Sequence, residues 1–339
     1  MKYLAALLPL GLCWVLVGFL PSTAPVTLTE DMLVSQALKR LGDPTPKHVV
    51  NNQVEGISAE AGRQLVLFGI ADDPLGGSSG RQSKHFVCTS CHNVKREDPV
   101  LTVSDPEARL QYVLDNNLPF LPGTTLYGVV NRETYYNDDY EKKYGDLVRP
   151  ARKDLRKAIQ LCATECAQGR PLADWEMESI LSYLWTIGLK IEDLDLTPQE
   201  MGMVLNIMNT GKEKAKAIDL LKSKYLSYSP AHFVTPPPDR NAGYAPTGDV
   251  ERGLKLYEKS CLHCHEERRY SFFNLDETDM TLAFLAKHMP RYTRYSSYQV
   301  IRYGTSPTGG KRAYMPHYTQ ERMSDQQVED LRAYFESGY

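Results

Sequence analysis

Cys88-Thr89-Ser90-Cys91-His92 and Cys261-Leu262-His263-Cys264-His265 are the two stretches that decide the fold. Each reads C-x-x-C-H. One helical turn presents both thiols on the same side of the chain and sets an imidazole directly after the second. That spacing lets the thiols bond the two vinyl groups of a porphyrin while the imidazole lies under its iron. Other chemistries use C-x-x-C, and neither fits. A redox dithiol wants a βαβ setting, which the flanking sequence lacks, and a four-cysteine zinc site leaves both trailing histidines without a role. Cys88, Cys91 and His92, and Cys261, Cys264 and His265, are therefore expected to hold two covalently bound haem c groups, with His92 and His265 on the metals.

Working outward, Gly248 to Tyr257 forms an amphipathic helix running into the second motif, with Leu254, Tyr257 and Cys261 at helical spacing. Ala59 to Phe68 is its counterpart before the first motif, separated from it by a Gly/Ser-rich loop, Leu75 to Ser83. After the second motif, Ser324 caps a last helix whose apolar face is Val328, Leu331, Tyr334 and Phe335. Asp174 to Trp185 is the matching helix of the first half. This order resembles the class I cytochrome c fold. The resemblance implies an all-α chain of two such domains, each with a first helix, the attachment motif, a loop bearing the distal ligand, and a last helix crossing the first.

In the second half, Tyr314-Met315-Pro316-His317 is similar to the methionine loop of that family, and Pro316 biases Met315 to extended backbone. Met315 is the expected distal ligand, with His317, Met323 and Lys311 as nearby competitors. The first half has no Met-Pro. Aligning Tyr183 with Tyr334 places Thr164 opposite Met315, midway between Cys162 and Cys166. The third cysteine pair thus falls where the first iron needs its sixth ligand, and Met177, Met201, Met203 and His85 are weaker candidates.

The stretch Ile159 to Arg170, followed by Trp175-Glu176-Met177, resembles the distal cysteine region of the thiosulfate dehydrogenase family of sulfur-oxidising dihaem cytochromes. The resemblance implies that Cys162 is a thiolate ligand of the first haem. Leu126 to Arg132 is similar to a segment of that family in which a basic residue faces an anionic substrate. It makes Arg132 a candidate catalytic residue with Cys162, and Arg170 a second anion holder. Cys166 is an addition to the pattern, and it leaves a Cys162–Cys166 disulfide open as the other reading.

The chain has 339 residues and a net charge of −3, from 39 basic and 42 acidic side chains. No basic stripe points to nucleic acid. The N-terminus is Lys2 followed by an uninterrupted apolar run from Leu4 to Leu20 and a small-residue stretch at Ser22-Thr23-Ala24. It reads as either a cleaved signal peptide or a retained single-span anchor, and both export the remainder to the periplasm. Cleavage at Cys13 as a lipoprotein is disfavoured by Leu12. The expected division is a leader at 1–24, an extension at 25–57, a first cytochrome domain at 58–195, a helical and Pro-rich linker at 196–246, and a second domain at 247–339. Within the linker Thr197 caps a helix opened by Pro198, and Pro236-Pro237-Pro238 stiffens the approach to the second domain. Tyr135 to Tyr140 belongs to an insertion read as a surface loop, with Asp138 and Asp139 as a remote calcium option.

These features predict single-electron transfer from the first haem to the second between donor and acceptor redox proteins. The alternatives are oxidation of a small sulfur anion at the first site, and service as a haem subunit of a membrane respiratory complex.

Overall fold

The computed structural model describes residues 27–293, 295–305 and 315–338. The leader with Cys13, and Lys311 with the rest of 306–314, lie outside the described residues. The α-helices of the described residues are α1 (Val34–Leu41), α2 (Ala59–Phe68), α3 (Pro106–Asp115), α4 (Asp138–Tyr144), α5 (Leu155–Leu161), α6 (Asp174–Thr186), α7 (Pro198–Thr210), α8 (Lys214–Ser223), α9 (Val250–Leu256), α10 (Leu262–His265), α11 (Asp279–His288), α12 (Ser297–Tyr303) and α13 (Asp325–Glu336). Among the described residues β-pairing is confined to two isolated bridges, Leu33 with Lys190 and Asp72 with Ser78. None of the described helices is long and apolar enough to cross a membrane.

Two helix crossings organise the molecule. α2 packs on α6, and α9 packs on α13. Glycine makes both possible. A Cβ on Gly62 would lie 1.9 Å from the Ser179 carbonyl oxygen, and one on Gly253 would lie 2.0 Å from that of Asp330. The register that pairs Tyr183 with Tyr334 also pairs Ser179 with Asp330, so the two crossings are the same contact made twice. The caps read from sequence are present. Ser324 accepts from the Gln327 N–H while the Gln327 side chain returns to the Ser324 N–H, and Thr197 with Glu200 does the same for α7.

Three apolar cores form. Leu65, Val66, Ile180, Leu181 and Leu184 centre the first, around α2 and α6. The second gathers α1, α7 and α8: Val34, Ala37, Leu38 and Leu41, at helical spacing on α1, meet Val204, Ile207, Ala217 and Leu221. The N-terminal extension and the linker helices therefore share one core. The third surrounds α9 and α13, and it takes in Leu110 and Val113 of α3 with Leu118 and Phe120. The segment after the first motif thus contributes apolar side chains to the core of the second. The insertion is a short helix, α4, rather than a loop. Asp138 pairs with Arg152 at 2.5 Å and Asp139 with Lys142 at 3.0 Å, so these carboxylates serve cations of the chain.

The Pro-rich stretch is fastened along its length. Asn137 Nδ2 donates to the Ala231 carbonyl (2.7 Å), the Phe233 N–H to Asp139 (3.1 Å), and the His232 N–H to Glu321 (2.9 Å). It bridges α4 and the C-terminal segment.

Candidate haem-binding sites

At the second motif, α9 runs through a π-turn over Tyr257–Cys261 into α10. Cys261, Cys264 and His265 face a cleft that Met315, Pro316, Tyr318, Met323 and Phe86 also line. His265 Nδ1 is 2.8 Å from the Phe273 carbonyl, to which it donates, and no described residue partners its Nε2. That tautomer leaves Nε2 as the lone-pair donor, the arrangement metal-bound imidazoles adopt. Burial lowers the His265 pKa and raises those of the thiols, Cys261 to about 11 and Cys264 to about 12. Neutral thiols and a neutral imidazole in an apolar cleft suit thioether bonding and iron ligation. Among the described residues, no group of three or more His, Cys, Asp and Glu converges as a zinc cluster would.

Met315 lines this cleft together with His265. Reciprocal bonds hold it: its N–H donates to Thr305 Oγ1 (2.7 Å), and the Thr305 N–H donates to its carbonyl (2.9 Å). Met323, buried, lines the same cleft. His317 is not among the lining residues. Its ring packs on Phe233, 4.6 Å between centroids, and lies 6.2 Å from Tyr140.

The first motif has the same donor set. Cys88–Ser90 is a short 3-10 turn, and His92 Nδ1 donates to the Thr124 carbonyl at 2.6 Å, again leaving Nε2 without a described partner. Gly123 cradles the ring: a Cβ there would lie 2.5 Å from His92 Cε1. Burial lowers the His92 pKa and raises the Cys88 thiol to about 11 and Cys91 well above its ordinary value. The two motifs abut. Cys264 Sγ lies 3.8 Å from the Ser90 carbonyl oxygen, and the His263 ring bonds the Thr89 backbone.

Cys162 and Cys166 occupy a π-turn that continues α5. Their thiols hydrogen-bond one another, and that bond together with burial raises the Cys162 pKa well above its ordinary value. Cys88 and Cys91 are within electrostatic reach of Cys162. The structure therefore gathers Cys162, Cys166, Cys88 and Cys91 in one neighbourhood. Arg132 lies within electrostatic reach of His92, the residue that follows Cys91. Arg132 lines a separate cleft with Arg96, Glu97, Asp98 and Thr124, from which both cysteines of the π-turn are absent, and it donates to Ser229 Oγ (3.2 Å). Arg170 is committed. Its guanidinium grips the Glu176 carboxylate and the Ser79 and Gly80 carbonyls. His85 packs against Phe272 at 5.7 Å, and Met177 is core.

A buried charge cluster that the sequence reading missed lies behind His92. Glu97, fully buried, accepts from Arg322 (2.7 Å), Asn93 Nδ2 (2.7 Å) and the Thr125 N–H (2.8 Å), with Arg109 at 3.7 Å. Arg322 also donates to the Leu121 (3.0 Å) and Gly123 (2.8 Å) carbonyls. The loop whose Thr124 holds His92 is thus fixed by an arginine from the C-terminal segment. Residues far apart in the chain build the cluster, so no local pattern announces it.

The helical fold, with the family match over the second motif, supports a c-type cytochrome with covalently bound haem and a part in electron transfer. Residues 248–335 match the family Cytochrome C oxidase, cbb3-type, subunit III. No curated protein and no solved structure matches the chain.

Proposed function

We propose that this chain is an exported dihaem carrier in which electrons enter at the Cys88–His92 site and leave through the Cys261–His265 site to a redox protein. The observation that carries the reading is the contact between the two attachment turns, Cys264 Sγ to the Ser90 carbonyl at 3.8 Å. When bound, each haem supplies a one-electron iron couple. The chain's part is to hold the two groups at fixed separation and exclude water, which the shared α3–α13 core and the fastened linker favour. Thr124 and Phe273 orient the two imidazoles, and Met315 offers a thioether that raises the potential of the second site. Intact mass should show two added porphyrins. Potentiometric titration should give the lower potential at the first site, and the reverse order would reject the proposed direction.

Gly123→Ala provides a local check. The new methyl must displace the His92 ring, and the first site alone should lose low-spin signal in EPR, with the second unchanged.

The second reading is oxidation of a small sulfur anion such as thiosulfate at the first site. It is favoured by the cysteine pair beside Cys88 and Cys91, with Cys162 as ligand or sulfur carrier. Arg170 is engaged by Glu176, whereas Arg132, within electrostatic reach of His92, keeps its candidacy as the anion holder. Turnover of thiosulfate with ferricyanide tests it, and no turnover leaves the carrier reading. The family matched over 248–335 favours a third reading, a haem subunit of a membrane respiratory complex anchored through the N-terminus. Co-migration with a larger assembly on blue-native gels would support that.

A further inference from the structure

We propose that Cys162 and Cys166 form a reversible dithiol–disulfide couple that stores two electrons beside the first haem site. The inference rests on the reading above only in naming haem iron as the electron acceptor.

Geometry carries it. In a regular α-helix residues i and i+4 lie one turn apart along the axis, and their Cβ vectors diverge. Here the chain widens at this point. The Ala167 N–H reaches back to the Cys162 carbonyl (2.8 Å), a five-residue span that defines a π-turn and brings the two thiols into hydrogen-bond contact. The turn is strapped to the segment leading into the first attachment motif. Gln82 Nε2 donates to the Ala163 carbonyl (2.9 Å), and Ser83 Oγ donates to the Ala167 carbonyl. The Gly169 N–H also donates to the Ala163 carbonyl (2.9 Å). These bonds hold the backbone while the sulfurs change state.

The chemistry balances within the chain. Two S–H bonds break and one S–S bond forms. Two protons leave to solvent, and the two electrons would pass one at a time to the haem irons that the Cys88–His92 and Cys261–His265 sites would hold. Protein dithiols are reducing relative to a His/Met-ligated haem, so the step would run from the dithiol toward the Cys261–His265 site, where Met315 is the candidate sixth ligand. Thiol-class reductants would reset the pair. A two-electron donor is thereby matched to two one-electron acceptors. Closing the bridge also withdraws Cys162 from any role as an axial ligand.

The test uses the full-length holoprotein. Samples poised oxidised and reduced are denatured, alkylated with iodoacetamide and mapped by peptide mass. The peptide holding Cys162 and Cys166 should carry two alkyl groups when reduced and none, at two hydrogens less mass, when oxidised. Equal alkylation in both states overturns the proposal. Coulometric titration should show wild type taking up two more electrons per chain than Cys166→Ser, and equal uptake also overturns it. The wild-type mapping does not depend on any variant folding. A Cys88–His92 peptide lacking porphyrin mass would reject the first haem instead, with the alkylation pattern still readable.

Discussion

Replacing Glu97 with alanine is expected to lower the free energy of unfolding by about 3–5 kcal/mol, the cost of leaving buried arginines without their anion. Glu97 is fully buried, bonds Arg322 at 2.7 Å and lies 3.7 Å from Arg109, whose guanidinium stacks 3.7 Å above the Phe120 ring. Neither arginine can reach water when the carboxylate is removed. Burial alone would raise the Glu97 pKa, but Arg322, Arg109 and the Asn93 amide outweigh it and hold the carboxyl below its ordinary value. Its folded value is therefore depressed relative to the unfolded chain. The stability it contributes is present above about pH 4.3, the unfolded glutamate value, and is lost as pH falls through the folded one. Glu97→Gln should retain a carbonyl acceptor for the Thr125 N–H yet lose this acid-sensitive component. Urea unfolding at pH 7 and pH 4, followed by the Soret band, measures both. A loss below 1 kcal/mol at pH 7 would mean that the arginines find other partners. The perturbation should also reach the first site, because Glu97 holds Thr125 and the adjacent Thr124 carbonyl holds His92.

How much of this was legible in the sequence depends on the range of the interaction. The Ser324 and Thr197 caps and the crossing helices are written in short spacings, and these emerge as the sequence implies. Met315 facing the cleft of Cys261 and His265 was legible because Met-Pro fixes a local backbone, whereas the turning of His317 toward Phe233 depends on the linker. The alignment that placed the Cys162/Cys166 pair opposite Met315 used only the residue offset between Tyr183 and Tyr334 on the two last helices. The π-turn that brings those thiols into contact has no sequence signature. What could not be read were the contacts made at long separation. The shared core of α1, α7 and α8 joins an apparent extension to an apparent linker. α3 carries an ordinary amphipathic pattern that says nothing about which core receives it. The Glu97–Arg322 bridge spans most of the chain, and paired charges of that separation look in sequence like solvated surface.

The glycine crossings allow the sharpest comparison, because the same chemical change should act in opposite directions at two helical positions. Gly202, in α7, has nothing within 4 Å of where a Cβ would project, so Gly202→Ala should stabilise by about 0.5–1 kcal/mol through helix propensity alone. Gly253, in α9, gains the same propensity, but its new methyl would lie 2.0 Å from the Asp330 carbonyl oxygen, 2.6 Å from that carbonyl carbon and 2.7 Å from Tyr334 Cβ. Two of these atoms are backbone of α13, so no rotamer change relieves the overlap and the helices must separate. The expected cost is about 3 kcal/mol, toward the upper end of overpacking effects. α9 runs without a break through the Tyr257–Cys261 turn into Cys264 and His265, so the displacement travels to the haem-bearing turn. Gly253→Ala should therefore change the second site's reduction potential as well as lower the melting temperature, whereas Gly202→Ala should leave the potential untouched. Thermal melts and separate potentials for the two variants would check this. If Gly253→Ala matched Gly202→Ala in stability, the close approach of α9 and α13 could not hold.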